Sequence, residues 1–543
     1  MTRYASIVLA GIAVLACLTE APLASATALI PEPVAAQHGL TRAWAAQVQL
    51  DSARGQLRNL VLDTGTLFAQ TDQGILEAID AETGKRLWTA QVGERGYPTF
   101  APAVNPTLVA LINGSTVYVL NRCNGKVLWK AQLNGAPSAG PALSRQRVYV
   151  PMNDGMIFSY ALTPMEESSK ELDKLAREQS PTPEQVAARE TARRESLRLK
   201  QDKSPPLGCR GPGRPLVAPL VTRQNVDEEY VTWTTERGYL CVGRVDRTRG
   251  NQFALLYRLH TEAPISNQPC YMPPNPSIAG DSGVIFAASE DGYIHAIRER
   301  DGNELWRFST GSPIVENPVA LGRFVLVTNQ LGGLYCLDAA NTGNQVWWSP
   351  EVTRVVAAGK QRVYAADKVG RIRVLEGRSG AVLDTIAAEY LPVKLTNSET
   401  DRMFLASKTG LVQCLHEIEL SQPLVRRLPP KEEDMAASAR DGTKVASAEE
   451  PAGDQTPEAK KPSSSTPSTP RATGPKTSGK STGKTGSTRK TGRNAANPYP
   501  GPGTPAEIKT GRRGSRGQRP GAGLPPGFPV PGGAADQPPG RGR

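Results

Sequence analysis

Residues 75–88 read ILEAIDAETGKRLW. The phrase returns as VYVLNRCNGKVLW at 117–129, YIHAIRERDGNELW at 293–306 and LYCLDAANTGNQVW at 334–347. Each copy has a β-rich run, a polar turn with a glycine, and a closing Leu-Trp or Val-Trp. Trp88 and Trp129 stand 41 residues apart, and so do Trp306 and Trp347. That period is the length of one four-stranded propeller blade.

Outward from these copies, strand-like modules can be counted at about 58–93, 100–133, 141–162, 216–261, 276–310, 316–350, 353–385 and 395–420. Tyr257 takes the tryptophan position in the fourth module and Leu383 the closing position in the seventh. The eighth module lacks a closing strand, whereas the segment around Trp44 (LTRAWAAQV, 40–48) resembles one with no blade before it. An N-terminal strand that completes the last blade would seal a ring and leave no sheet edge open. The expected fold is therefore all-β, an eight-bladed propeller over 38–425. Seven blades is the alternative, because the third and fourth modules are irregular.

Gly84, Gly125, Gly302 and Gly343 occupy hairpin turns where a positive φ is expected. None of them opens a helix after a strand, so none reads as a phosphate loop. A large flat ring at a fixed place in each outer strand can fill the wedge between adjacent sheets. Trp44, Trp88, Trp129, Trp306 and Trp347 accordingly read as structural blade-docking residues.

The third module is interrupted at 163–213. Met165–Gln179 and Pro183–Lys200 have helical composition, with Thr182 placed to cap the second helix and Pro183 at its first position. A solvated hairpin and a partner-binding arm are both compatible with this insertion. Residues 430–543 are rich in Pro, Gly, Ser and Thr and nearly free of aromatics, a composition that predicts disorder. The 543-residue chain has a formal charge of +12, but 460–543 alone hold 16 Lys/Arg against Glu507 and Asp536, a net of +14 that leaves −2 for the rest. Such a tail suits an anionic membrane surface or wall polymer. Nucleic acid is the less expected partner, because export makes the encounter unusual and stacking aromatics are scarce.

Residues 1–28 read as an export signal, with Arg3 before an apolar run at Ile7–Ala16. Val14-Leu15-Ala16-Cys17 resembles a lipobox and makes Cys17 a candidate lipidation site, while Ala21–Ala28 offers sites for ordinary cleavage; an uncleaved anchor is the third option. The expected location is the periplasm or cell envelope, with an outer-membrane lipoprotein as one form. Cys241, Cys336 and Cys414 fall in inner-strand phrases as small hydrophobes, and a Cys209–Cys270 disulfide is compatible with export. His38, His260, His295 and His416 show no nucleophile partner, and no His/Cys spacing suggests a metal.

The four tryptophan phrases resemble the quinoprotein-like propeller family, also called pyrroloquinoline-quinone-like repeats, over about 40–420. The resemblance implies indoles docked between blades. Its enzymes carry vicinal cysteines and a calcium held by Glu, Asn and Asp. This chain has no adjacent cysteines. It is more similar to the non-enzymatic branch, typified by the propeller lipoprotein that assists outer-membrane β-barrel assembly. The implied function is a protein-binding scaffold of the envelope, with no catalytic residue, cofactor or metal. The alternative is a quinone-dependent dehydrogenase or a small-ligand sensor that uses the channel.

Overall fold

The computed structural model describes residues 29–426 apart from 52, 166–182, 202–203, 225–227 and 247–250. The export signal, Thr182, the first insertion helix and the basic tail therefore lie outside the described residues. Eight antiparallel sheets of four strands follow one another along the chain. Blade 1 spans Leu57–Gln91, blade 2 Ala103–Gln132, blade 3 Ala142–Arg210 and blade 4 Leu220–His260. Blade 5 spans Cys270–Ser309, blade 6 Val319–Pro350 and blade 7 Arg354–Ile386. Blade 8 has three strands between Val393 and Glu417, and its fourth is Leu40–Gln47 from the start of the chain. The ring is an eight-bladed propeller, and the seven-bladed alternative falls.

The strand patterns explain the layering. Second strands such as Leu108–Asn113 and Arg147–Pro151 are buried at every position, as strands covered on both faces must be. Fourth strands such as Val127–Gln132 alternate, with one face packed and one open. First strands of neighbouring blades touch one another in blades 2, 3 and 4 and in blades 5 and 6, which places them innermost. Cys241, Cys336 and Cys414 thus lie on third strands, outside the inner layer, and all three are buried.

The core is distributed over the seams between blades. Eight buried clusters each join two neighbours: the one containing Trp44 links blades 8 and 1, and the one containing Ile30 and Ala35 links blades 7 and 8. Ala35 belongs to a short helix, Glu32–Gln37, which starts behind Pro31 and which sequence pattern did not reveal.

Ring closure rests on strand pairing from Leu40↔Glu417 to Gln47↔Leu411, with a bulge between Arg42 and Trp44. Arg402 reinforces it from blade 8. Its side chain is 1% exposed, pairs with Glu82 of blade 1 at 3.0 Å and with Asp401 at 3.1 Å, and donates to the carbonyls of Leu420 and Ser421. A guanidinium so deeply buried is tolerable only with this full set of acceptors.

The insertion enters between the third and fourth strands of blade 3. It ends earlier than its composition predicts, because Leu207–Arg210 is the fourth strand itself and pairs with Met156–Ser159. Its described helix is Pro183–Glu195, shorter than the expected 183–200. Asn121 and Asn124 of blade 2 donate to the carbonyls of Arg194 and Glu195, which satisfies part of the open helix end. Cys209 and Cys270 are both free thiols on different blades, so the Cys209–Cys270 disulfide is absent.

Removing the Trp44 indole empties a seam that also closes the ring. Trp44→Ala is expected to lower unfolding free energy by about 3–5 kcal/mol. Urea titration followed by far-UV circular dichroism should show one cooperative transition moved to lower denaturant. A shift confined to a minor early phase would show that this seam does not couple the ring.

Candidate functional site

Five of the eight seams are small recognition sites built from one ring of the outer strand and one turn of the next blade. The indole Nε1 of Trp88 donates to Arg122 O at 2.7 Å, and that of Trp44 donates to Ala81 O at 2.9 Å. Trp306 donates to Ala339 O at 3.3 Å and Trp347 to Gly377 O at 2.9 Å. Under each ring lies the turn glycine of the next blade. A Cβ on Gly125 would sit 2.4 Å from Trp88, one on Gly84 2.6 Å from Trp44, and one on Gly343 2.3 Å from Trp306. Gly302 meets Tyr257 in the same way at 2.5 Å, and the Tyr257 hydroxyl donates to Glu299 O at 2.6 Å. The glycines serve two needs at once, a left-handed turn and a bare surface for a ring.

Three seams depart from the pattern. At Trp129 the following turn is replaced by the insertion. The ring packs on Tyr160 at 5.7 Å, and Gln201 of the insertion donates to Leu128 O. A cavity of about 170 Å³ opens beside it, bordered by Arg147, Ser159 and Asn251. Between blades 3 and 4 the filler is Trp233, fully buried on the second strand of blade 4 and pressed against Gly211 and Gly243. Between blades 7 and 8 the tryptophan register is held by Asp384, which pairs with Val374 as Trp88 pairs with Ala78. Leu383 is the bulged, exposed neighbour, so the closing position assigned to it belongs to Asp384. His38, just before the closing strand, meets Asp384 at 2.5 Å.

The channel mouth on the side of the interblade connections is tightly built. A Cβ on Gly140 would lie 2.9 Å from Ala101 O and 3.7 Å from Ala218 Cβ, so the connections into blades 2, 3 and 4 are in contact. Gln268 donates through its side chain to Ala218 O and through its backbone to Asn317 Oδ1. Arg354 holds Glu316 with two hydrogen bonds of 2.9 and 2.7 Å. These polar groups are spent on one another, whereas Ser138 Oγ and Asn267 Oδ1 in the same connections are buried without a partner.

The residues present do not fit a quinone with its calcium. No group of three His, Cys, Asp or Glu is placed to hold a metal among the described residues. Burial pushes the Cys209 thiol up to about 11 and the Cys241 and Cys336 thiols up to about 12, so these sulfurs stay protonated and poorly nucleophilic at neutral pH. His295 rests against Glu304 at 3.1 Å, and His416 against the Glu417 carbonyl at 2.8 Å. Cys17 lies outside the described residues.

Fold and seams together define a repeat propeller whose ordered chemistry serves blade docking. The family model described as outer membrane protein assembly factor BamB matches residues 40–174 and 242–408, and the chain belongs to that family. BamB of Burkholderia pseudomallei is 33% identical over 88 residues, 16% of this chain and 23% of that protein. The 1-butanol dehydrogenase (quinone) of Thauera butanivorans is 34% identical over 82 residues, 13% of each chain. The quinoprotein ethanol dehydrogenase of Pseudomonas aeruginosa is 31% identical over 103 residues, 17% of this chain and 16% of that one. The chain thus spans less than a quarter of the length of each of these relatives. Among solved structures, BamB from Moraxella catarrhalis is similar with a TM-score of 0.46 and 14% identity, over 69% of this chain and 97% of that one. The computationally designed Ika8 protein is similar with a TM-score of 0.47 and 15% identity, over 68% and 100%.

Two seam predictions follow from this geometry. Gly65 has φ +74° with nothing within 4 Å, and Gly125 has φ +71° with Trp88 in contact. Gly65→Ala should cost about 1–2 kcal/mol of backbone strain, and Gly125→Ala at least about 1 kcal/mol more from the clash. Equal urea midpoints for the two variants would remove the docking role of the glycine. At the seam between blades 7 and 8, the Thr385 backbone N–H and then His38 hold the Asp384 carboxyl below its usual value. Its contribution is present at neutral pH and is lost as pH falls through that lowered value. It amounts to less than about 1 kcal/mol after solvent screening. Asp384→Asn should abolish this part of the acid sensitivity, measured as melting temperature against pH between neutrality and strong acid.

Proposed function

We propose that this protein is a non-enzymatic, protein-binding scaffold of the cell envelope that takes part in outer-membrane protein assembly. The observation that carries the proposal is the family match, which runs through both halves of the ring. The channel mouth and seams agree with it, because the indoles, Gln268 and the Arg354–Glu316 pair are engaged in joining blades. Binding then falls to the rims, where apolar burial and loop contacts supply the energy. The insertion helix, docked by its end on blade 2, would extend one rim as an arm. Residues 1–28 would direct export, with Cys17 as the lipidation site. The basic tail would hold the protein to an anionic membrane surface or wall polymer.

Affinity capture of the full chain from envelope extracts should recover an outer-membrane β-barrel assembly protein. A variant lacking 430–543 should keep the melting temperature and lose retention on anionic vesicles. Capture of no such protein, together with dye-linked alcohol oxidation once quinone and calcium are added, would overturn the scaffold reading in favour of a dehydrogenase.

A further inference from the structure

Strands of a blade alternate in direction, so the turns between second and third strands share one face with the connections between blades. Seven blades make that turn with four residues ending in glycine. The residue before the glycine is Gln73, Asp154, Arg237, Asp291 and Thr409 in blades 1, 3, 4, 5 and 8. In blades 6 and 7 it is Leu331 and Val369. These two side chains are 74% and 65% exposed, the highest values among the large exposed hydrophobics of the described residues.

The two apolar tips belong to neighbouring turns. A Cβ on Gly332 would lie 3.2 Å from the Lys368 side chain, so the blade 6 and blade 7 turns touch. A Cβ on Gly370 would lie 3.3 Å from the backbone of Glu389, which joins the patch to the connection into blade 8. Tyr390, the next residue, is half exposed and donates to Leu29 O at 3.4 Å. On the other side Trp348 is half exposed, and its indole nitrogen would be 2.7 Å from a Cβ on Gly333. Two carboxylates at this edge are matched by cations, Glu351 with Arg373 and Asp367 with Arg371, while the Lys394 ammonium is held by the carbonyls of Ala388 and Leu391.

We propose that this edge, Trp348–Leu331–Val369–Tyr390, faces and partly enters the surface of a lipid bilayer. The order of side chains suits an interface. Aliphatic tips can enter the acyl boundary, aromatic rings with a polar atom flank them at headgroup depth, and Lys368 can extend its ammonium to the headgroups. The place where the chain arrives agrees. Residues 18–28 are the eleven between Cys17 and Leu29, and a stretch of that length spans at most about 40 Å. An acyl anchor at Cys17 would therefore hold this rim, which Leu29 borders, close to the membrane. That anchor belongs to the function proposed above, whereas the apolar edge stands apart from it.

The test uses the full chain with its native N-terminus on vesicles of phosphatidylcholine alone, where the basic tail has no anionic surface to bind. Amide hydrogen exchange is read with and without vesicles. Backbone amides of 330–333, 368–371 and 389–391 should slow, while the turns at 82–85 and 301–304 on the other face should not. Leu331→Asp with Val369→Asp should remove the protection and, in the unacylated chain, lower vesicle partitioning by about tenfold. The exposed positions leave the melting temperature unchanged. No binding to these vesicles, or binding with protection elsewhere or nowhere, would overturn the assignment. An N-terminal peptide of unacylated mass with the same turns protected would refute Cys17 lipidation and support the membrane face. The assembly partner is tested separately by affinity capture, so the two failures can be told apart.

Discussion

The pairing of Leu40–Gln47 with Leu411–Glu417 is the constraint on which the rest of the ring depends. A propeller without it would leave Leu411–Glu417 as an unpaired outer edge and a seam lacking its indole. Each blade buries its faces only against its neighbours, so a missing closure exposes apolar surface at two places at once. The structure guards this point more heavily than any single Trp–Gly contact requires. Trp44 wedges into blade 1, Arg402 crosses to Glu82, and the backbone N–H of Thr64 donates to Glu399.

A ring held this way leaves little freedom at its centre. Gly140 fits because it has no side chain between Ala101 and Ala218, and Arg354 is neutralised by Glu316. Residues that must satisfy one another to keep eight wedges in place are poor candidates for moving protons or holding an ion. Variation is tolerated at the rims, where a turn needs only its glycine and its capping groups. The contrast between Asp291 and Leu331 at equivalent turn positions shows this latitude: one caps its own turn, and the other is left to solvent.

Much of the fold was legible because the period is long and the Trp–Gly phrase recurs in four blades. Trp88, Trp129, Trp306 and Trp347, with the unattached closing strand at Trp44, gave the blade period and the closure, while the irregular third and fourth modules left eight blades with seven as the alternative. The less regular seams were not legible, for physical reasons. The bulge in the outer strand of blade 7 is the one that blade 1 also carries, and Asp384 follows Gly380 by four residues as Trp88 follows Gly84, so Leu383 matched by chemistry while Asp384 matched by spacing and register. Trp233 fills its seam from a second strand, outside the recurring phrase. The fourth strand of blade 3 has only four residues and no aromatic ring to mark it. Arg402 finds Glu82 320 positions away, a contact that no local pattern announces. The exposed tips at Leu331 and Val369 could have been read from the turns alone, once those turns were aligned.

Native-state hydrogen exchange across the closing pair is the most direct test of this account. Amides of 40–47 and 411–417 should exchange only through global unfolding, with the same free energy and denaturant dependence as the central strands of blades 1 and 5. Exchange of 40–47 through a low-energy local opening, with the other blades still protected, would show that the N-terminal strand decorates a ring already stable without it.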